Sequence, residues 1–318
     1  MEPTHAPERP APRPSNVLPD REEAERIVLP ADSPAHEVTG DIRLYLASGY
    51  ALLMQVSHPT VGAGVRDHST FAEDPWGRLM RTMDYLYLIT LSGDESIDVG
   101  RRVRELHKQI KGTNPDGSRY HALEPEAYAW VHATLIEATV RGRRKFVGPM
   151  SRYEVDRFYD AWMPLGRLLG VRAGDLPEDW DGFRDYFATV SHDTLERNET
   201  VDKVVRTLDA REPPPVPGMK YLWPVLRLAP ARSVRVSTVG MLRRPLRARF
   251  GLEWTRRDAI ELKLMMRASR AATPLIPKRL TEEMGYRHLA WRRKEIAAGP
   301  LGPAADEPGG CPIHARAA

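Results

Sequence analysis

The chain has 318 residues, 42% of them hydrophobic and 28% charged, so it can bury a sizeable core in one large domain or two small ones, and disorder is excluded as the default state. Lys and Arg number 47 against 43 Asp and Glu, a net +4 with much of the arginine excess in the second half; that balance tolerates an anionic partner, and no nucleic-acid-binding module accompanies it. The lone cysteine, Cys311, excludes an intrachain disulfide and fits a reducing, cytoplasmic setting.

Residues 1–20 open with MEPTHAPERPAPRPSN, which lacks the apolar run of a secretory signal and reads as a disordered leader. Mixed charge from Arg21 gives way at Leu44 to 22 residues without Asp, Glu, Lys or Arg, LYLASGYALLMQVSHPTVGAGV. Its length alone would permit a membrane span. Gln55, His58, Pro59 and three glycines make it a poor lipid-facing helix and favour a buried segment beside a ligand.

A helix is predicted over Tyr45–Val56, ending before Pro59, and a second over roughly Trp76–Thr90 after a turn at Asp74 and Pro75. Leu79, Met83, Leu86 and Tyr87 recur there at helical spacing. SIDVGRRVRELHKQIKG reads as a charged helix buried through Ile97, Val103, Leu106 and Ile110 and stopped by Gly112. Turn dipeptides in GTNPDGSRYHALEPEAY precede a helix from Glu126 to about Thr139.

Ser151 and Glu154 have the spacing of a capping box, and helices continue to Leu208. The proline-rich stretch EPPPVPGMKYLWPVLRLAP breaks the rhythm and is expected to cross or cap the helices irregularly. The basic LRRPLRARFGLEW and a last long helix before Pro274 follow, and residues 299–318 read as a flexible tail. The expected fold is therefore all-α, a single globular multi-helix domain over residues 21–298 with flexible termini.

The chemistry concentrates in the first half. Arg78, Arg81 and Thr82 lie on RLMRT, where spacings of three and four turn all three toward one helical face. They can present donors to a buried anion or an oxygen species, or else reach solvent and acids such as Asp74 and Asp84. His107 shares the apolar stripe of its charged helix with Val103 and Ile110, and His132 lies among Trp130, Val131 and Leu135. A buried neutral imidazole needs a partner, and iron or a hydrogen bond would each serve. A lone buried histidine is more often structural than a ligand; two in successive helical segments, with His58 and His68 upstream, strengthen the metal or cofactor reading beside the structural one.

HExxH, paired cysteines, GxGxxG, a phosphate-binding GKS/T loop and GxSxG are all absent from the sequence, so zinc chemistry, dinucleotide hydride transfer and serine hydrolysis are poor fits. His121 and Glu124 of HALEPE fall in a turn-rich loop. Leu52, Leu53, Val56, Tyr85 and Leu86 suit an apolar substrate, a macrocycle face or plain core equally. Arg243, Arg244, Arg247 and Arg249 beside Phe250 and Trp254 allow weak peripheral contact with anionic lipid, against a solvated surface over a packed aromatic. CPIH at Cys311 is too short a signal to carry a role.

These features resemble the MpaB/rubber oxygenase catalytic-domain family. The resemblance is carried by LLMQVSHPTVGAGVRDHSTFAEDPWGRLMRT, LHKQIKG and SRYHALEPEAYAWVHATLIEA, with looser matches through LPEDWDGFRDYF and the GLEW to PLIP region, roughly Ile42 to Trp291. It implies an all-helical fold enclosing haem b, with histidine on one side of the iron and oxygen chemistry on the other. Latex-clearing members are similar in placing an arginine and a lysine-threonine pair on their distal helix. Matched by order, Arg78 stands at the arginine, Thr82 at the threonine, and Arg81 where those members have lysine.

The family's axial histidine lies on a later helix, so the resemblance implies His107 for that role, with His132 as the competing ligand; His58 and His68 would line the cavity or anchor propionates. Guanidinium is a poorer proton donor and a broader, forked hydrogen-bond donor than ammonium, which argues against a direct transfer of the alkene-cleaving mechanism. The implied activity is that of a haem b-dependent oxygenase or oxidoreductase acting on an isoprenoid, fatty or aromatic metabolite. Dioxygen or peroxide and an electron donor would be its partners. The alternative is a non-catalytic helical haem sensor, carrier or interaction protein.

Overall fold

The structure, a computed structural model, describes residues 18–30, 32–69, 75–208, 228–275, 277, 285–286 and 289–290, without the side chains at 42, 75–78, 80–81 and 228–231. The leader, the proline-rich crossing at 209–227 and CPIH lie outside the described residues. Two short helices, α1 (Arg21–Ile27) and α2 (Pro34–Thr39), lead through a 3-10 turn into α3 (Tyr45–Val56) and α4 (Pro59–His68). Helices α5 (Pro75–Leu91) and α6 (Glu95–Lys108) form a hairpin closed by residues 92–94. Then come α7 (Pro125–Gly142), α8 (Arg152–Leu169), α9 (Trp180–Asp193), α10 (Glu199–Leu208), α11 (Leu228–Met241), α12 (Arg244–Arg249) and α13 (Arg256–Ala272). The fold is all-α, a single globular domain, as the sequence implied.

Helix α3 is the centre of this assembly, packed against α4, α7, α10 and α11. Ala47, Tyr50, Leu53, Met54 and Val56 are buried, so the uncharged run at 44–65 is core rather than a span. Among the described residues no helix is long and apolar enough to cross a membrane. The run continues helically past Pro59, where the sequence suggested only a stop. Proline at the first position of a new helix loses no hydrogen bond and already has the required φ, and His58, in extended conformation, separates the two helices.

The turn-rich segment before α7 folds as a small antiparallel hairpin, β1 (Lys111–Thr113) with β2 (Arg119–His121), registered by Lys111 opposite His121. Helix α7 runs to Gly142, past the expected end at Thr139, and widens into a π turn over Arg143–Val147. The capping box of α8 forms as predicted: Ser151 Oγ accepts from the Glu154 amide while the Glu154 carboxylate accepts from the Ser151 amide. Gly170, at φ 97°, ends α8 in the left-handed region that suits glycine. Stacked Trp130 and Phe187 and the Tyr159, Trp180, Phe183 group fill the core on the α8/α9 side.

Helices α6 and α8 cross at Gly100, where an added Cβ would come within 2.3 Å of the Leu168 carbonyl oxygen. Alanine would raise helix propensity there by about 1 kcal/mol. The obstruction is backbone and cannot rotate away, so overpacking dominates and Gly100→Ala is expected to destabilise by about 1–3 kcal/mol. A lowered urea midpoint at unchanged m-value is the measurement that checks it.

Candidate functional site

His107 occupies the last turn of α6, half-buried. Its Nδ1–H donates to the Val103 carbonyl one turn back, at 2.7 Å. That bond puts a proton on Nδ1, so in the neutral ring the lone pair belongs to Nε2, the tautomer in which an imidazole serves as a metal ligand through Nε2. The His107 ring meets Tyr128 of α7 edge to face, centroids 5.6 Å apart, and the buried Tyr128 hydroxyl donates to the Leu169 carbonyl at 2.9 Å. The ligand-like imidazole is therefore oriented by its own helix and held against a second element.

One turn beyond Tyr128, His132 is 4% exposed, and neither ring nitrogen has a hydrogen-bond partner. Burial drives its pKa down to about 4; the nearby Trp162 carbonyl pulls weakly the other way without meeting hydrogen-bond geometry. A Cβ on Gly166 of α8 would lie 2.9 Å from His132 Nε2, so the α7–α8 seam is filled by backbone at that point. His58 is comparably enclosed at 5% exposure, with both nitrogens unpaired and a pKa lowered by burial to about 4.

Helices α3 and α7 run antiparallel. Gly142 lies against Ala47, Arg141 over the Tyr50 ring, and Trp130 Nε1 donates to the Met54 carbonyl. Thr60 Oγ1 then donates to Glu124 at the start of α7. This register brings His58 to the same end of the helices as Tyr128 and His107. The hairpin of α5 and α6 brings a further group to that end: Arg78 and Thr82 lie 14 and 10 residues before Ser92 on one arm, and His107 lies 13 residues after Asp94 on the other. Thr82 is exposed on α5, while the side chains of Arg78 and Arg81 are outside the described ones.

His68 stands apart. It is exposed at the end of α4, its Nε2–H donates to the Lys111 carbonyl at 3.2 Å, and its ring meets Tyr120 edge-on. Asp67 beside it accepts from Arg66 and from the Tyr120 hydroxyl, which hold its carboxyl down at about 2. This cluster ties α4 to the β-hairpin. Among the described residues no group of three or more His, Cys, Asp or Glu side chains converges to hold a metal ion. A porphyrin-bound iron asks only a single side-chain ligand of the protein, and His107 has the tautomer for it.

The sequence located these histidines. It did not reveal Tyr128 as the residue joining His107 to α7, although the i, i+4 spacing of Tyr128 and His132 was a usable signal. The basic segment turns out largely engaged with the protein itself: the Arg247 guanidinium lies 4.9 Å from the Trp254 ring centroid, Arg249 donates to the carbonyls of Ser191 and Leu195, and Phe250 is buried.

The family model described as "ER-bound oxygenase mpaB/B'/Rubber oxygenase, catalytic domain" matches residues 36–271. The chain is also similar to two mycobacterial proteins, the uncharacterized protein Mb2261 of Mycobacterium bovis and the uncharacterized protein Rv2237 of Mycobacterium tuberculosis. Each is 27% identical over 234 residues, covering 72% of this chain and 88% of the relative. No solved structure matches the chain.

Proposed function

The chain belongs to the MpaB/rubber oxygenase catalytic-domain family, whose membership points to an oxidoreductase role, and on that premise we propose that it is a haem b-dependent oxygenase acting on an apolar organic substrate with dioxygen or peroxide. The observation that carries this reading is the Nδ1–H bond from His107 to the Val103 carbonyl, which orients the ring and sets the neutral tautomer that can ligate iron through Nε2. His107 is the proposed axial ligand. The close backbone of Gly166 at His132 Nε2 disfavours His132 for that role.

Bound haem would supply the one-electron and oxygen chemistry that side chains lack. The chain's own residues orient and exclude. The Val103 carbonyl orients His107 by accepting the hydrogen bond of its proton-bearing nitrogen, and Tyr128 keeps the ring from turning. Arg78, Arg81 and Thr82 are proposed to hold a carboxylate or orient the oxidant from the α5 side. Because arginine stays protonated, Arg81 would act as a fixed donor rather than a proton shuttle. His58, buried and neutral at physiological pH, is proposed to lie beside the haem and accept or donate one hydrogen bond.

The test is the ultraviolet-visible spectrum of freshly purified protein with pyridine haemochrome quantification and dithionite reduction. Near-stoichiometric haem b is expected. Haem-free protein after expression with ample iron and precursor would overturn the proposal. For Arg81→Lys we expect retained haem with an altered product distribution or turnover. Unchanged kinetics would remove Arg81 from the oxidant side.

A further inference from the structure

Helix α13 is fastened by one face. Leu262 is buried, Met265 and Met266 pack on the core, and Ser269 Oγ donates to the Phe146 carbonyl. Its only two carboxylates, Asp258 and Glu261, both turn to Arg232 of α11, at 2.9 and 2.6 Å. The inward face thus consumes every negative charge the helix has.

The outward face is of a different kind. Ile260 and Leu264 are 61% and 59% exposed, and Leu275, in the 3-10 turn that extends the helix, is 81% exposed. At 100° per residue Ile260, Leu264 and Ala271 fall within one narrow stripe. Arg256, Arg257, Lys263 and Arg267, all exposed, flank it on both sides, and among the described residues none of the four is ion-paired. Three large aliphatic side chains left in water beside four unneutralised cations make an unusual surface for a helix with so well-anchored an inner face.

The positive character continues past the C-terminal end. Arg270 donates from Nε to the Lys145 carbonyl at 3.0 Å and from a terminal nitrogen to the Arg144 carbonyl, bringing the π turn's basic residues to this helix. Burial and the neighbouring Arg141, Arg270 and Arg247 hold the Lys145 ammonium below the usual lysine range, a sign that cations there outnumber acids.

We propose that the outward face of α13 is a peripheral docking surface for an anionic lipid bilayer. A convex single helix offers no groove to enclose a peptide. An apolar stripe about 23 Å long, flanked by cations on flexible stems, fits a surface that is negative at its plane and apolar beneath it. Ile260, Leu264 and Leu275 would enter the acyl boundary, while Arg256, Arg257, Lys263 and Arg267 meet headgroup phosphates. The helix lies in the plane and does not span. The assignment is independent of the haem reading.

Vesicle flotation of the full-length protein tests it, with phosphatidylcholine alone and with about 30% phosphatidylglycerol, since anionic lipid should supply the attraction. Binding to the anionic vesicles only, weakened by high salt, is expected. Ile260→Asn with Leu264→Asn should reduce binding at least about tenfold, and so should Lys263→Glu with Arg267→Glu. All four positions are exposed, and circular dichroism checks that both variants stay folded. No flotation, or flotation unaffected in both variants, overturns the proposal. So does a dimer by analytical ultracentrifugation that both variants dissociate, because a second copy would then cover the face.

Discussion

Replacing His107 by alanine is expected to abolish haem retention while leaving the helices in place. The residue is half-buried in the last turn of α6, so truncation removes one bond to its own helix and an edge contact with Tyr128, and leaves no large core cavity. Loss of an outer-shell partner typically weakens a metal site 10- to 100-fold, so loss of the ligand itself should exceed about 100-fold. Pyridine haemochrome should read near zero in H107A while far-ultraviolet circular dichroism stays helical. Imidazole added to His107→Gly should restore part of the spectrum by occupying the vacated position. Native spectra in H107A would move the ligand elsewhere, with His132 next in line.

The reach of the sequence in this region has a physical explanation. Helices α3, α5, α6 and α8 announce themselves because their apolar residues recur at helical spacing and their ends carry proline, glycine or a capping box. Helix α4 was hidden by Pro59, whose meaning reverses between a helix interior and a first turn. The β-hairpin was hidden by brevity, since three-residue strands cannot display alternation. His107 could be singled out, but its tautomer could not, because the Val103 bond is made to a backbone carbonyl that carries no sequence signal. The outward face of α13 escaped notice for another reason. Leu262, Met265 and Met266 face inward while Ile260 and Leu264 face out, so apolar residues lie on both sides and the helical periodicity marks the inner face without singling out the outer one.

The second large effect is on acid stability. His58 and His132 are both enclosed, unpaired and neutral, with pKa values lowered by burial to about 4 from an ordinary 6.5. Between those values the unfolded chain takes up protons that the native protein refuses, so stability falls as pH drops from about 6.5 toward 4 and is flat above that window. Each group contributes on the order of 3 kcal/mol across the window, and the two together reach a substantial part of a domain's usual 5–15 kcal/mol. Urea midpoints by circular dichroism at pH 7.5 and 5.0 should differ accordingly. His132→Leu removes one titrating ring and both of its orphaned nitrogens at similar volume, so it should roughly halve the pH slope while leaving neutral-pH stability equal or higher. Arginine on α5 cannot produce this slope because its charge does not change in the window. An unchanged slope in His132→Leu would mean that the ring gains a proton as readily inside the fold as outside it, contrary to its burial between α7 and Gly166.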